Sequence, residues 1–412
     1  MSVSIINQPT TPNVTGTNLM YTVVSTNATA SQFQYITDIY ESGSDTLLSR
    51  FYSYPNTYGY GVIDVARPLD DRLGYDDFWK ITGSASPVNA VKTFDIRFGE
   101  SYGTSLSSSV AIYTSSTPNY LEVFPGTIYP NEGTYNFVTS SFVDATRSQY
   151  LTNQPNFATN PTTYQYAPFL NKDNYLTVTQ FQDPTNYIIV RGLNYSGTTF
   201  SSVTQSIFTF TGGGEFSTIG LGPQNLSDWD SGWANYFASG SINYVSTTSD
   251  FGSVRYWVKD NLGSITNTPS GPVPCLDQGV YFAFVNKYGF YDYYPVYHPV
   301  RRSTDVGRNN YEQENVNYST TNSVYNITRR GTKQYLTSYK DTFKVSTDYI
   351  DKNMAQWLTE MLNSGYVYIQ ENGNFVPVTI TNSSYITNMN TSRQKLFKYD
   401  IEYKYANPRP ER

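Results

Sequence analysis

Two aspartate pairs give this chain its best opening for chemistry. They lie in Pro68-Leu-Asp70-Asp71-Arg-Leu-Gly-Tyr-Asp76-Asp77-Phe-Trp79. Carboxylates beside aromatic rings suit glycoside hydrolysis, where two of them flank a sugar roughly 5–10 Å apart. Spacing along the chain does not set that separation. Adjacent aspartates in a strand point to opposite faces, and in a loop they commonly solvate a turn. The segment therefore reads as structural, with a carboxylate glycosidase as a rival. Asp228-Trp-Asp230-Ser-Gly232 matches the first half of a calcium loop, but position 12 is Ser239 where a bidentate Glu is required. It reads as a turn. Gly212-Gly213-Gly214 follows a strand-like run without the Lys-Ser/Thr and helix of a phosphate loop, so it reads as a hairpin or bulge. His298 sits between Tyr297 and Pro299 with no second His to share a metal, and reads as a strand-end residue. Cys275, in Gly-Pro-Val-Pro-Cys-Leu, reads as a buried small hydrophobe in a linker between domains. No catalytic, cofactor-binding or metal-binding residue is expected.

Composition points the same way. The 412 residues hold 40 Tyr and 23 Phe but one His and one Cys, so thiol, histidine-based and zinc chemistry are poorly supplied. Charged residues are 15%, against roughly 25% in an ordinary domain. A disordered chain would lack aromatics; here they are 17%. The net charge is −6, and the densest basic spots are Arg301–Arg302 and Arg329–Arg330. Both are too short for a nucleic-acid footprint and read as solvated edges or interface contacts. The first residues have neither a basic n-region nor an apolar h-region, so no secretory signal is expected. No apolar run approaches the length of about 18 residues that a membrane helix needs.

The elements that must position these residues are mostly strands. Residues 1–105 show short alternating segments with turn signals between them. Phe33, Tyr35, Thr37 and Ile39 share a face, as do Lys92, Phe94, Ile96 and Phe98. About 100 such residues fit an immunoglobulin- or fibronectin-III-like sandwich, without the Cys…Trp…Cys signature of a true immunoglobulin domain. Residues 106–272 read as a loop-rich β-domain. Residues 273–412 read as a C-terminal β-domain opening on a hairpin, Val280–Val285 and Phe290–Tyr294, turned at Gly289. Ile350, Met354, Trp357, Leu358, Met361 and Leu362 predict one amphipathic helix over 348–364, with Asp348 as N-cap and Gly365 as the C′ residue. A second hairpin, Tyr366–Gln370 and Phe375–Ile380, turns at Asn372-Gly373; Pro377 suggests an edge strand or a bulge. A long strand from Lys395 to Tyr405 closes the chain, with Phe397, Tyr399, Ile401, Tyr403 and Tyr405 on one side. The fold class is mainly β, with tandem sandwich-like domains and one helix.

The order of short segments resembles a group of structural virion proteins of tailed bacteriophages, especially crAss-like and related phages of Bacteroidota. The matching stretches are Ile6-Asn-Gln-Pro-Thr-Thr-Pro-Asn13 through Phe33-Gln-Tyr-Ile36, Trp79-Lys-Ile81 and Ile96-Arg-Phe-Gly-Glu100. They continue with Tyr150-Leu-Thr-Asn-Gln-Pro155, Phe169-Leu-Asn171, Phe284-Val-Asn-Lys-Tyr-Gly289, and Trp357-Leu-Thr-Glu-Met-Leu362 through Pro377-Val-Thr-Ile380. Ser364-Gly365 stands where the pattern has Ser-Pro. The resemblance implies a non-catalytic virion component of tail, collar or head fibre. Its implied partners are other virion proteins and copies of itself, with no nucleic acid, membrane or cofactor. A glycan-binding host-surface adhesin is the alternative, since tyrosines can stack on sugars.

Overall fold

The protein is described by a computed structural model covering residues 3–44, 46–76, 84–114, 117–127, 151–152, 154, 173–179, 187–195, 199–209, 216–239, 241–242, 244–248, 256–259, 279–296, 298–313, 316–318, 323–325, 331–347, 349–350, 352–382 and 397–407. It is mainly β, built from several sheets with four short helices among the described residues. Two compact units emerge: Met1–Gly271 with Ala283–Tyr294, and Pro272–Phe282 with Pro295–Arg412.

In the first unit, β1 (Val3–Asn7), β3 (Met20–Ser25) and β6 (Tyr60–Asp64) form one sheet. A second runs in the order β2 (Asn13–Val14), β10 (Asn119–Phe124), β8 (Lys92–Gly103), β4 (Ser31–Glu41), β5 (Leu47–Ser53), with β9 (Ala111–Thr114) also paired to β8. Alternation dictates what faces inward. Tyr21 and Val23 of β3, Phe33, Tyr35 and Ile39 of β4, Ile63 of β6 and Phe94, Ile96 and Phe98 of β8 share one buried cluster. The opposite face of β4 and β8 carries Asp38 and Asp95. Arg50 clamps Asp38 in a fork at 2.6 and 2.7 Å, and Arg97 pairs with Asp95 at 2.7 Å while lying over the Tyr40 ring. A buried carboxylate needs such partners.

Farther on, β11 (Tyr175–Thr179) and β14 (Phe216–Gly220) pair with β7 (Ser84–Ala85), and β13 (Phe200–Thr209), β12 (Tyr187–Tyr195), β15 (Tyr244–Thr248) and β16 (Tyr256–Lys259) make a four-stranded sheet. The short helix α1 (Ala66–Asp70) follows β6, and α2 (Pro223–Trp229) and α3 (Ser231–Ala238) follow β14. The expected hairpin is present as β17 (Val280–Val285) and β18 (Tyr291–Val296), buried along its whole length. That explains its continuous apolar run rather than an alternating one. Its turn belongs to the first unit and is closely packed there. Gly289 has φ +83°, and a Cβ there would stand 1.1 Å from the Pro125 carbonyl oxygen, so no other residue fits. Phe290 packs with Phe124 and Phe216 in a second buried cluster.

In the second unit the strand order is β23 (Val367–Glu371), β24 (Asn374–Ile380), β25 (Asp400–Tyr405), β22 (Thr332–Ser346), β19 (Arg301–Glu312). The small pair β20 (Val316–Tyr318) and β21 (Ser323–Tyr325) lies between β19 and β22 in the chain. The predicted helix is α4 (Lys352–Asn363), which buries Met354, Ala355, Trp357, Leu358 and Met361. It begins later than its apolar stripe suggests. Ile350 exchanges backbone hydrogen bonds with Phe397 at 2.8 and 2.7 Å, which holds it extended. Asp348 lies outside the described residues. Gly365 is not a left-handed cap either. Ser364 N–H instead donates to the Met361 carbonyl at 3.2 Å, closing the last turn more tightly. Asn372 and Gly373 have φ +49° and +76°, the primed turn expected of their hairpin. Pro377, however, lies on an interior strand. Its missing N–H would face the chain beyond Tyr405, where the ladder to β25 has ended, and its carbonyl still accepts from Ala406 N–H at 3.0 Å. The final strand is shorter than expected, but Phe397, Tyr399, Ile401 and Tyr403 are all buried as the alternation requires.

Candidate assembly surfaces

Asp70 and Asp76, singled out in the sequence, each accept hydrogen bonds from neighbouring segments. Asp70, the last residue of α1, accepts a hydrogen bond from the Thr15 hydroxyl. Asp76 is buried, and its carboxylate accepts the backbone N–H groups of Asn89 at 3.0 Å and Ala90 at 2.9 Å. Ala90 belongs to the second buried cluster, so Asp76 fixes a loop that packs. Asp77 and Trp79 lie outside the described residues, as do Gly212, Gly213, Gly214 and Cys275. Asp230 caps α3: its side chain accepts from Gly232 N–H at 2.8 Å. The run Asp228–Gly232 is thus a junction between two helices, with Trp229 stacked on Phe208 and Trp233 buried nearby. His298 is half-buried just ahead of β19. Among the described residues no three His, Cys, Asp or Glu side chains are placed to hold a metal ion, and no helix is long and apolar enough to cross a membrane.

The tyrosines fall into three sets. Tyr21, Tyr35, Tyr281, Tyr288, Tyr293 and Tyr403 are fully buried. Tyr35 shows how this is tolerated. Its hydroxyl accepts from Ser25 N–H at 3.1 Å and donates to the Gly59 carbonyl at 2.6 Å, and burial raises its pKa above the ordinary value. Others point outward. Tyr52, Tyr54, Tyr58 and Tyr60 lie exposed along β5, β6 and the turn between them.

A third set lies on the strand pair β19–β22, the most unusual surface of the described residues. Twelve residue pairs run from Arg301↔Lys344 to Glu312↔Thr332, with one register shift at Asn309/Asn310. Every residue of β19 is exposed. Only the root of β22 has a second neighbour, where Phe343 to Ser346 pair with Tyr403 to Asp400 of β25. At about 3.4 Å per residue the pair forms a ribbon some 40 Å long.

Its two faces differ. Register puts Val306 opposite Tyr339 and Arg302 opposite Phe343 on one face, with Thr304 opposite Asp341 and Arg308 opposite Thr337. Tyr335 is the residue skipped at the register shift, and its ring centroid lies 6.2 Å from that of Tyr311, which continues the two-residue steps Asp305, Gly307 and Asn309 on the opposite side. The other face pairs Ser303 with Thr342, Asp305 with Lys340 and Gly307 with Ser338. Tyr335 is 62% exposed, and Tyr311, Tyr339 and Val306 are exposed as well.

The root is held firmly. Phe343 stacks on Tyr403 at 5.2 Å and meets the Tyr405 ring edge-on. Arg302 pairs with Asp341 at 2.7 Å and lies over Phe343. Lys344 reaches Glu402 at 3.1 Å and Asp400 at 3.2 Å. The Tyr405 hydroxyl donates to Glu371 at 2.9 Å, and burial followed by that carboxylate pushes its pKa up to about 12. Hydrogen bonds from the Ser346 hydroxyl and Lys344 outweigh burial and hold Asp400 below the ordinary carboxylate value.

Sequence reasoning had marked Arg301–Arg302 as an edge or interface but did not read a strand pair across 301–346. The available signal was Val306 with the spaced aromatics Tyr335, Tyr339 and Phe343, diluted by charges and by Gly307. The chain matches no family model and no curated protein.

Proposed function

We propose that this chain is a non-catalytic structural component of a tailed-phage virion, joining or decorating tail, collar or head-fibre parts through subunit contacts. Residues 1–105 then serve as an immunoglobulin- or fibronectin-III-like module. The observation that carries the reading is the β19–β22 ribbon. A two-stranded ribbon alone is marginal in water, and Tyr339 with Val306 on one face and Tyr311 with Tyr335 beyond the register shift are costly to leave wet. Neighbouring subunits laid on the ribbon remove both costs. The segment-by-segment resemblance to phage structural proteins supports the same reading, as does the structural employment of Asp70, Asp76 and Asp230.

Mass spectrometry of washed particles tests it. The expected result is a fixed copy number of the chain per particle. Its absence from particles, or hydrolysis of host polysaccharide by the purified chain that Asp70→Asn or Asp76→Asn abolishes, overturns it. Tyr54 and Tyr58, both largely exposed beside the β5–β6 turn, favour one second reading, a glycan-binding adhesin. A glycan array decides it: selective binding lost in Tyr54→Ala or Tyr58→Ala supports the adhesin.

A further inference from the structure

We propose that Tyr102 and Tyr113 are an oxidative modification site, where a one-electron oxidant couples the two rings into a dityrosine that staples the edge strand β9 to β8. The inference does not depend on the assembly role.

Register brings the pair together. β8 and β9 run antiparallel, with Glu100 opposite Tyr113 and Tyr102 opposite Ala111. Tyr102 and Tyr113 are therefore diagonal neighbours on one face, a spacing that aromatic rings can bridge. Their ring centroids lie 5.3 Å apart at an interplanar angle of 26°. Near-parallel rings in contact are about 3.5 Å apart, so these two are slipped sideways by about 4 Å and meet edge over edge. The hydroxyls hydrogen-bond to one another. That contact sets the ring carbons ortho to oxygen at the overlap, and phenoxyl radicals couple at those carbons.

The surroundings hold the pair and leave it open to an oxidant. Tyr102 packs against the closed core of the body and stacks with Phe33 at 6.4 Å and 19°. The loop between the strands is pinned, since the Ser108 hydroxyl accepts from Ser105 N–H at 3.0 Å and donates to the Ser105 carbonyl at 2.8 Å. Tyr113 is 48% exposed. Glu100, buried directly across from Tyr113, sets a negative charge beside the rings, and a nearby negative charge favours loss of an electron. Other tyrosine pairs lack one of these features. Tyr175 and Tyr293, 6.0 Å apart, are buried. Tyr311 and Tyr335, 6.2 Å apart, are inclined at 52°.

The reaction balances. Each phenol gives up one electron and one proton. The two phenoxyl radicals form a carbon–carbon bond between their ortho carbons, and the hydrogens on those carbons shift to the oxygens and restore both aromatic rings. The net loss is two hydrogens. With hydrogen peroxide as the oxidant and a haem peroxidase as the catalyst, they leave in two molecules of water.

The strand that gains the bond needs it. β9 is four residues long and every one is exposed. Among the described residues its ladder partner is β8. A short edge strand with one neighbour frays and invites pairing with other chains. A covalent bond from Tyr113 to Tyr102 closes the intervening loop and stops that opening, as other crosslinks do.

The test treats the full chain, at about 1 μM so that an oriented neighbour outcompetes other copies, with hydrogen peroxide and a haem peroxidase. Mass spectrometry after chymotryptic cleavage, which cuts between the two tyrosines at Leu106, locates the link. The expected product joins Tyr102 to Tyr113, is two hydrogens lighter than its parts, and forms at least about ten times faster than any other tyrosine link. It is absent in Tyr113→Phe and unchanged in Tyr54→Phe, which removes a tyrosine that is 74% exposed. Amide exchange across Ala111–Thr114 should slow at least about tenfold in the oxidised chain and stay unchanged in oxidised Tyr113→Phe. Links that form first elsewhere, or oxidation that leaves Tyr102 and Tyr113 unjoined, overturn the site. A Tyr102–Tyr113 link without slower exchange in β9 overturns its role as a staple.

Discussion

The N-terminal two-sheet body and the β19–β22 ribbon are both built of paired strands that carry aromatic side chains, and they put them to opposite uses. In the body, Phe33, Tyr35 and Ile39 of β4 face Tyr21, Val23 and Ile63 of a second sheet, and the cluster is closed. In the ribbon, Val306 and Tyr339 share one face, Tyr311 and Tyr335 meet beyond the register shift, and all four are exposed. The body is complete in a single chain. The ribbon is a half-core awaiting its other half. Paired aromatic strands therefore report that a face is to be covered and are silent on whether the cover comes from the same chain.

Substitutions that probe covered and uncovered faces should differ sharply, and the largest effect belongs to α4. Trp357 is 2% exposed, and Trp357→Ala should cost about 3–5 kcal/mol in thermal or denaturant unfolding. A cost under about 1 kcal/mol would mean that this side of the second unit is also open. Tyr35→Phe comes next. It leaves the buried Ser25 N–H without its acceptor and should cost about 1–3 kcal/mol. No change in stability would show that the hydroxyl is not what closes that end of the body.

A smaller effect is expected at the root of the ribbon on acidification. Asp400 has a pKa lowered from its ordinary 3.8. A lowered folded-state value contributes stability that is present above the unfolded pKa and lost as pH falls through the folded one. Lys344, raised by Glu402 and Asp400, contributes below its unfolded value and loses that only far above neutrality. Amide hydrogen exchange at Lys344 and Val345 should thus be steady from about pH 5 to 9 and quicken, relative to intrinsic rates, below about pH 4. Steady protection down to about pH 2 would remove the ion pairs from the account. The smallest stability effect should be Tyr335→Ser, within about 0.5 kcal/mol in the lone chain. A loss above about 1 kcal/mol would place Tyr335 in a core and dissolve the contrast between body and ribbon.

Much of the fold could be read from residue order because its signals were local. The faces of β4 and β8, the helix around Trp357 and the Asn372-Gly373 turn each depend on neighbours a few residues away. Pro377 misled because the cost of a missing N–H depends on where the partner strand stops, and β25 stops at Tyr405. Gly365 and Ile350 misled for a related reason: a backbone bond from Ile350 to Phe397 and a tight last turn at Ser364 override the local capping pattern. The exposed ribbon was illegible because its face carries few apolar residues and its meaning lies in what is missing beside it. The partners of Asp70, Asp76 and Asp230, namely Thr15, Asn89 with Ala90, and Gly232, required the fold.

Radical footprinting of the tyrosines, in the isolated chain and in the assembled particle, tests the central claim most directly. The ribbon should change state while the cores do not. Tyr335 and Tyr339 should be modified readily in the isolated chain and be protected at least about tenfold on assembly, with Tyr21 and Tyr403 resistant in both, since labelling follows solvent access. Equal modification of Tyr335 and Tyr339 in the two states would contradict the account, because the ribbon would then end its life as exposed as it began.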